Sequence, residues 1–128
     1  MLAYVMVGTN DLDRSIRFYD AALKPLGLSR TENEADYAGY SSKETPAIIE
    51  FYVTKPFDGQ PATVGNGTMI SLSPNSLAAL DDFHAAALAS GGKDEGKPGP
   101  RPTDANVHYA YVRDPDGNKI CACHELPA

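Results

Sequence analysis

The hexapeptide Phe18-Tyr19-Asp20-Ala21-Ala22-Leu23 returns as Phe83-His84-Ala85-Ala86-Ala87-Leu88, with Phe18 on Phe83, Tyr19 on His84, Ala22 on Ala87 and Leu23 on Leu88 at a constant offset of 65 residues. That offset is about half of the 128 residues, so the chain reads as two copies of one supersecondary unit. A doubled unit of this kind makes a shared cleft the natural place for function.

Each copy spells a strand, a helix and then shorter extended segments. Leu2 to Gly8 alternates and is rich in Val and Tyr, as a strand does. Asn10 or Asp11 offers an N-cap oxygen, and Leu12, Ile16, Tyr19 and Leu23 recur at helical spacing until Pro25 and Gly27. Two short strands are expected between Leu28 and Tyr40, and Ala47 to Thr54 is the clearest strand of the first half. In the second half, Gly67 to Ser73 is a strand and Asn75 or Ser76 caps a helix. Leu77, Leu80, Phe83, Ala87 and Leu88 form one face of that helix, and Gly91-Gly92 ends it. Lys93 to Thr103 contains Pro98, Pro100 and Pro102 and is expected to be a stiff extended loop. Val107 to Arg113 and Lys119 to His124 form a hairpin around Asp114-Pro115-Asp116-Gly117.

The length suits one domain, 1–128, with modules at about 1–54 and 67–126 and a Gly- and Pro-rich linker at about 55–66. A net charge of −6 argues against nucleic acid and anionic membranes as partners, because both require a basic face. No segment has the length or flanks of a membrane span or a signal peptide. Cys121 and Cys123 are too close to close a useful loop, so reduced thiols in a cytoplasm are expected.

The segments GTNDLDRSIRFYD (8–20), NGTMISLSP (66–74), LDDFHAAALASGG (80–92) and YVRDPDGNKI (111–120) resemble the vicinal-oxygen-chelate superfamily, which contains glyoxalase I, bleomycin-resistance proteins and extradiol dioxygenases. The resemblance implies an α+β fold of two βαβββ modules whose mixed sheet curls around a cleft, commonly within a homodimer. It also implies, in metal-using members, a divalent ion. The glyoxalase-type ligands His, Glu, His and Glu would fall on Tyr4, Glu50, Met69 and Cys121, where three of the four depart.

A phenol, a thioether and a thiol beside one carboxylate do not make the oxygen and imidazole shell that a hard Lewis-acidic ion needs. The expectation is therefore no metal and no cofactor. Cys121 and Cys123 with Met69, near His108 or His124, would be a soft-metal alternative, but no second cluster supports it. In AIIEFYVT (47–54), Ile49, Phe51 and Val53 alternate with Ile48, Glu50 and Tyr52, which puts the second set toward the cleft. Glu50 is then a candidate catalytic base or ligand anchor, against the competing reading of a solvated edge carboxylate.

Tyr4, Met6, Tyr52, Met69, Arg101, His108 and Cys121 are the candidate ligand-binding residues. Aromatic and Met side chains give adaptable contact area, and Arg101 in the proline-rich loop either leans over the cleft to hold an anion or, the reading its position favours, is a solvated loop arginine. His84 reads as a surface or helix-packing residue. The expected function is a metal-independent, glyoxalase-like protein binding a small, partly apolar molecule. A lyase or isomerase with an atypical metal shell, or with Glu50 as base, is the alternative.

Overall fold

Asp11 and Ser76 begin the two helices in the same way. Each side-chain oxygen accepts a hydrogen bond from the backbone N–H three residues on, at 3.1 Å in both cases. A computed structural model describes all 128 residues. The first module comprises β1 (Val5–Gly8), α1 (Leu12–Ala22), a single 3-10 turn (Lys24–Leu26), β2 (Leu28–Asn33), β3 (Tyr37–Ser42) and β4 (Phe51–Thr54). The second comprises β5 (Ile70–Leu72), α2 (Leu77–Ala89), β6 (Lys93–Pro100), β7 (Val107–Arg113) and β8 (Lys119–Glu125). No helix is long and apolar enough to cross a membrane.

The two modules are built alike. Their strand orders are β1-β4-β3-β2 and β5-β8-β7-β6, with the first strand parallel to the last and the remaining pairs antiparallel. Each sheet hydrogen-bonds only within itself, so the two do not close on one another. Val5, Leu12 and Leu28 open β1, α1 and β2, and Ile70, Leu77 and Lys93, each 65 residues later, open β5, α2 and β6. Beyond β6 the offset drifts, because the connection to β7 is longer than its counterpart in the first module.

Both helices pack between the sheets, and their repeated residues meet there. Phe18, Tyr19, Ala22 and Leu23 from α1 and its end join Leu80, Phe83 and Ala87 of α2 in one buried cluster with Phe51, Val53, Val112 and Ile120. Each large side chain so buried contributes roughly 1.5–3 kcal/mol. His84 is buried too, and its Nε2 lies 3.0 Å from an Asp94 carboxylate oxygen. Leu88, expected on the buried face of α2, is 40% exposed, although Ala87 beside it is fully buried.

Polar bonds also join the modules. Asp116, in the β7–β8 turn, accepts hydrogen bonds from the Thr9 hydroxyl at 2.6 Å, the Asn10 amide at 2.9 Å, the Ser15 hydroxyl at 3.0 Å and Arg14 Nη2 at 2.8 Å. Asn118 Nδ2 donates to the Gly8 carbonyl at 2.8 Å. The turn that the sequence marks as a hairpin thus docks on the junction of β1 and α1.

Two further expectations are corrected. Lys93–Pro100 is a strand and not a loop. It tolerates Pro98 and Pro100 because β6 is an edge strand with β7 as its one neighbour, and its pairing slips twice, between Asp94 and Gly96 and between Gly96 and Gly99. Ala47–Ile49 does not belong to β4. The Ile48 amide closes a turn on the Thr45 carbonyl at 3.0 Å, and the Ile49 side chain lies over Gly39 beside Tyr52. Ile49 therefore leaves the alternation that Phe51 and Val53 keep.

Candidate ligand site

Alternation gives each sheet a helix-facing side and an open side. In the first sheet, Val7, Phe51 and Val53 are buried toward the helices. Met6 and Tyr52, paired across β1 and β4, fall on the open side. Tyr4 joins them there, its ring 5.0 Å from that of Tyr52, and Tyr37 packs on the other flank of Tyr52 at 5.8 Å. The Tyr37 hydroxyl donates to Glu32 at 2.9 Å, and that bond holds the phenol above its ordinary pKa. Tyr4 and Met6 are 53% and 50% exposed, an apolar surface that nothing in the chain covers.

Glu50 sits one step before β4. Its carbonyl accepts from the Val5 amide at 3.1 Å and its amide donates to the Tyr40 carbonyl at 2.9 Å, so its backbone is fixed while its side chain is exposed. The carboxylate has no ion-pair partner. Glu50 and Tyr4 line a cavity of about 1070 Å³ together with Leu28, Arg30 and, from the second module, Ser71. The cavity therefore lies where the two modules meet.

In the second sheet, Ala110, Val112, Ile120 and Ala122 are buried toward the helices. Tyr109, Tyr111, Lys119, Cys121 and Cys123 alternate with them and occupy the open side. Tyr109 and Tyr111 stack with their planes 4° apart and centroids 5.9 Å apart. Cys121 is fully buried beneath neighbours on that side, and burial pushes its thiol pKa up. Met69 lines a second hollow of about 940 Å³ with Lys93, Arg113 and Lys119.

The sequence-derived candidates are thus distributed over two surfaces. Tyr4, Met6, Glu50 and Tyr52 gather on the first sheet, and Met69, Arg101 and Cys121 on the second. His108 shares its alternation with Ala110 and Val112, so it lies on the helix-facing side, paired across the ladder with His124. Arg101 comes directly after β6 and reaches over the Tyr111 ring. Tyr37, Tyr109, Tyr111 and Lys119 were not among the sequence candidates. Two-residue spacing along β7 and β8 signals the shared face of Tyr109, Tyr111 and Lys119, but only the pairing register brings them together.

The four positions at which glyoxalase-type ligands would stand carry a phenol, a carboxylate, a thioether and a thiol. No three His, Cys, Asp or Glu residues converge anywhere in the chain. Tyr4 and Glu50 belong to one sheet, and Met69 and Cys121 to the other. The thiol is neutral, and Lys119 stands two residues from it on the same open face, where an ammonium opposes a divalent cation.

Two βαβββ modules, each presenting an open sheet face and related by an internal repeat, define the vicinal-oxygen-chelate class of fold. Residues 1–122 match the model of the Glyoxalase/Bleomycin resistance protein/Dioxygenase superfamily, and the chain belongs to that family. A glyoxalase/bleomycin resistance protein from Albidiferax ferrireducens superposes with a TM-score of 0.86 at 45% identity, covering 98% of this chain and 99% of that one. A lactoylglutathione lyase from Haemophilus influenzae is 32% identical over 93% of this chain and 88% of its own length. One from Oryza sativa is 31% identical, and the chain spans 42% of its length.

Proposed function

We propose that this chain is a metal-independent member of the family that binds a small, partly apolar molecule against its open sheet faces. The observation that carries this reading is the donor set at Tyr4, Glu50, Met69 and Cys121. It offers a phenol, one carboxylate, a thioether and a buried neutral thiol, with Lys119 close by. The side chains that would grip a hard ion are replaced by ones that supply contact area, and the tyrosines at 4, 37, 52, 109 and 111 extend that area.

A second copy of the chain is the natural cover for the exposed Tyr4, Met6 and Met69, so we read the working form as a homodimer. Sedimentation equilibrium giving a monomer at micromolar concentration would remove that part. Two free cysteines suit a reducing cytoplasm.

Isothermal titration with Mg²⁺, Zn²⁺ and Ni²⁺ tests the central point. The expected result is no stoichiometric binding, with a thermal shift produced by partly apolar small molecules that added metal does not change. A chelator-sensitive lyase activity would sink the reading.

The names of the lyase relatives, together with Glu50, support a second reading as a lyase or isomerase. The Glu50 carboxylate borders the inter-module cavity with no cation paired to it, the placement a proton-abstracting base requires. Formation of S-lactoylglutathione that resists chelation and is lost in Glu50→Gln would favour this version. Activity unchanged by that substitution would discard it.

A further inference from the structure

The open face of the second sheet carries two cations, Arg101 and Lys119, that form no ion pair. Arg101 Nη1 donates to the carbonyls of Gly99 at 3.1 Å and Tyr109 at 2.9 Å, and Nη2 donates to that of Lys97 at 2.7 Å. Some of these carbonyls lie where β6 slips against β7, and capping them pins the guanidinium in one place. All three acceptors are neutral, so the geometry of the cation is fixed while its charge stays uncompensated. Its Cζ lies 5.2 Å from the centre of the Tyr111 ring, and Lys119 Nζ lies 5.3 Å from the same centre.

Neither cation forms an ion pair, although the chain holds 17 Asp and Glu against 11 Lys and Arg. Arg113, opposite Lys119 on the neighbouring strand, is already taken by Glu95 at 2.7 Å. The carboxylates of Asp114 and Asp116 in the adjoining turn are occupied by Tyr19 and Asn118, and by Thr9, Ser15 and Arg14. Lys93, which lines the hollow beside Lys119, is unpaired as well. Tyr109 and Tyr111 stack on one another, and their ring edges give this face an apolar surface beside the charges.

We infer that this face holds a small organic anion, a carboxylate on an apolar body, whose charge sits in the combined field of Arg101 and Lys119 and whose body packs against the edges of Tyr109 and Tyr111. The inference rests on the reading of the open faces as the ligand surface, and it narrows the ligand to acids. A guanidinium held in place sets out a fixed positive charge without first giving up side-chain freedom, and Lys119 adds a second donor.

Naphthoate and its neutral counterpart naphthamide are the probes, titrated calorimetrically into wild type, Lys119→Met and Arg101→Gln, with amide chemical shifts locating the contact. Naphthoate is expected to bind about tenfold more tightly than naphthamide, to lose about tenfold in Lys119→Met, and to shift the amides of Tyr109, Tyr111 and Cys121. Naphthamide should bind wild type and Lys119→Met alike. Lys119 makes no structural hydrogen bond, so that variant remains informative if Arg101→Gln, which frees three carbonyls, fails to fold.

Equal affinity for the two probes, absence of binding by both, or shifts confined to the first sheet would overturn the inference. Equal affinity with shifts on the open faces would leave the broader binding reading standing. Binding of either probe that requires a divalent ion would bring down that reading itself.

Discussion

The Tyr19 hydroxyl donates to a carboxylate oxygen of Asp114 at 2.6 Å, joining a helix of the first module to a turn of the second across 95 residues of chain. Tyr19 is fully buried and Asp114 nearly so. The same carboxyl accepts the Asn118 side-chain amide at 2.8 Å and the backbone amides of Asp116 and Asn118, each at 2.9 Å. Burial raises the Asp114 pKa, and these donors counter it.

Replacing Tyr19 by Phe keeps the ring's packing and removes one donor from a buried carboxyl. The expected loss is about 1–3 kcal/mol in urea unfolding. Asp114→Ala strands the Tyr19 hydroxyl and two backbone amides together and should cost more than Tyr19→Phe. An Asp114→Ala protein as stable as wild type would show that the inter-module bond carries no stability.

Tyr19 and Tyr40 both have phenol pKa values raised well above the ordinary 10.0, through burial first and then through Asp114 for Tyr19 and Asp20 for Tyr40. A pKa raised on folding stabilises the native state below the unfolded value, and that stability is lost as pH climbs past it. Stability is therefore expected to fall above about pH 10, the ordinary tyrosine value. Ultraviolet difference absorbance should show these two phenolates appearing only as the protein unfolds. Their ionisation in protein that is still folded, judged by circular dichroism, would contradict the buried placement.

At Gly92 an added Cβ would come within 2.7 Å of the Phe18 ring, 2.8 Å of the Ala87 carbonyl and 3.0 Å of the Arg113 carbonyl. Two of these neighbours are backbone and cannot rotate away. Gly92→Ala is expected to cost about 1–3 kcal/mol by overpacking. Gly99→Ala, with nothing nearby, is the control and should unfold at the wild-type temperature.

Cys121 is fully buried with its thiol pKa pushed up, whereas Cys123 is partly exposed. An aromatic disulfide reagent should modify Cys123 first and reach Cys121 only on unfolding, because the thiolate is the reacting form. Rapid native-state labelling of Cys121, located by peptide mass spectrometry, would contradict the assignment.

The repeat at offset 65, the caps at Asp11 and Ser76, and the Asp114–Gly117 turn made the module plan legible along the chain, because helices, caps and turns are decided by residues within a few positions of one another. The candidate site was legible in part. Alternation along β4 put Tyr52 on the open side, where its ring meets Tyr4 and Tyr37, because it depends only on neighbours, but Ile49 escaped it through a turn at 45–48. Pro98 and Pro100 read as loop breakers, and whether a strand can hold a proline depends on having an edge, a property of the sheet and not of the segment.

Local order in the chain thus determined the elements, their repetition and the phenol, thioether and thiol at three of the four positions that the resemblance marks for ligands. Tertiary structure alone decided that Tyr4 and Glu50 lie on a different sheet from Met69 and Cys121. It also decided that Arg101 and Lys119 each approach the Tyr111 ring and that Asp114 and Asp116 clasp the first module. The physical reason is separation along the chain. Pairing register and inter-module docking join residues tens of positions apart, and no periodicity within one segment encodes which distant partner it will meet.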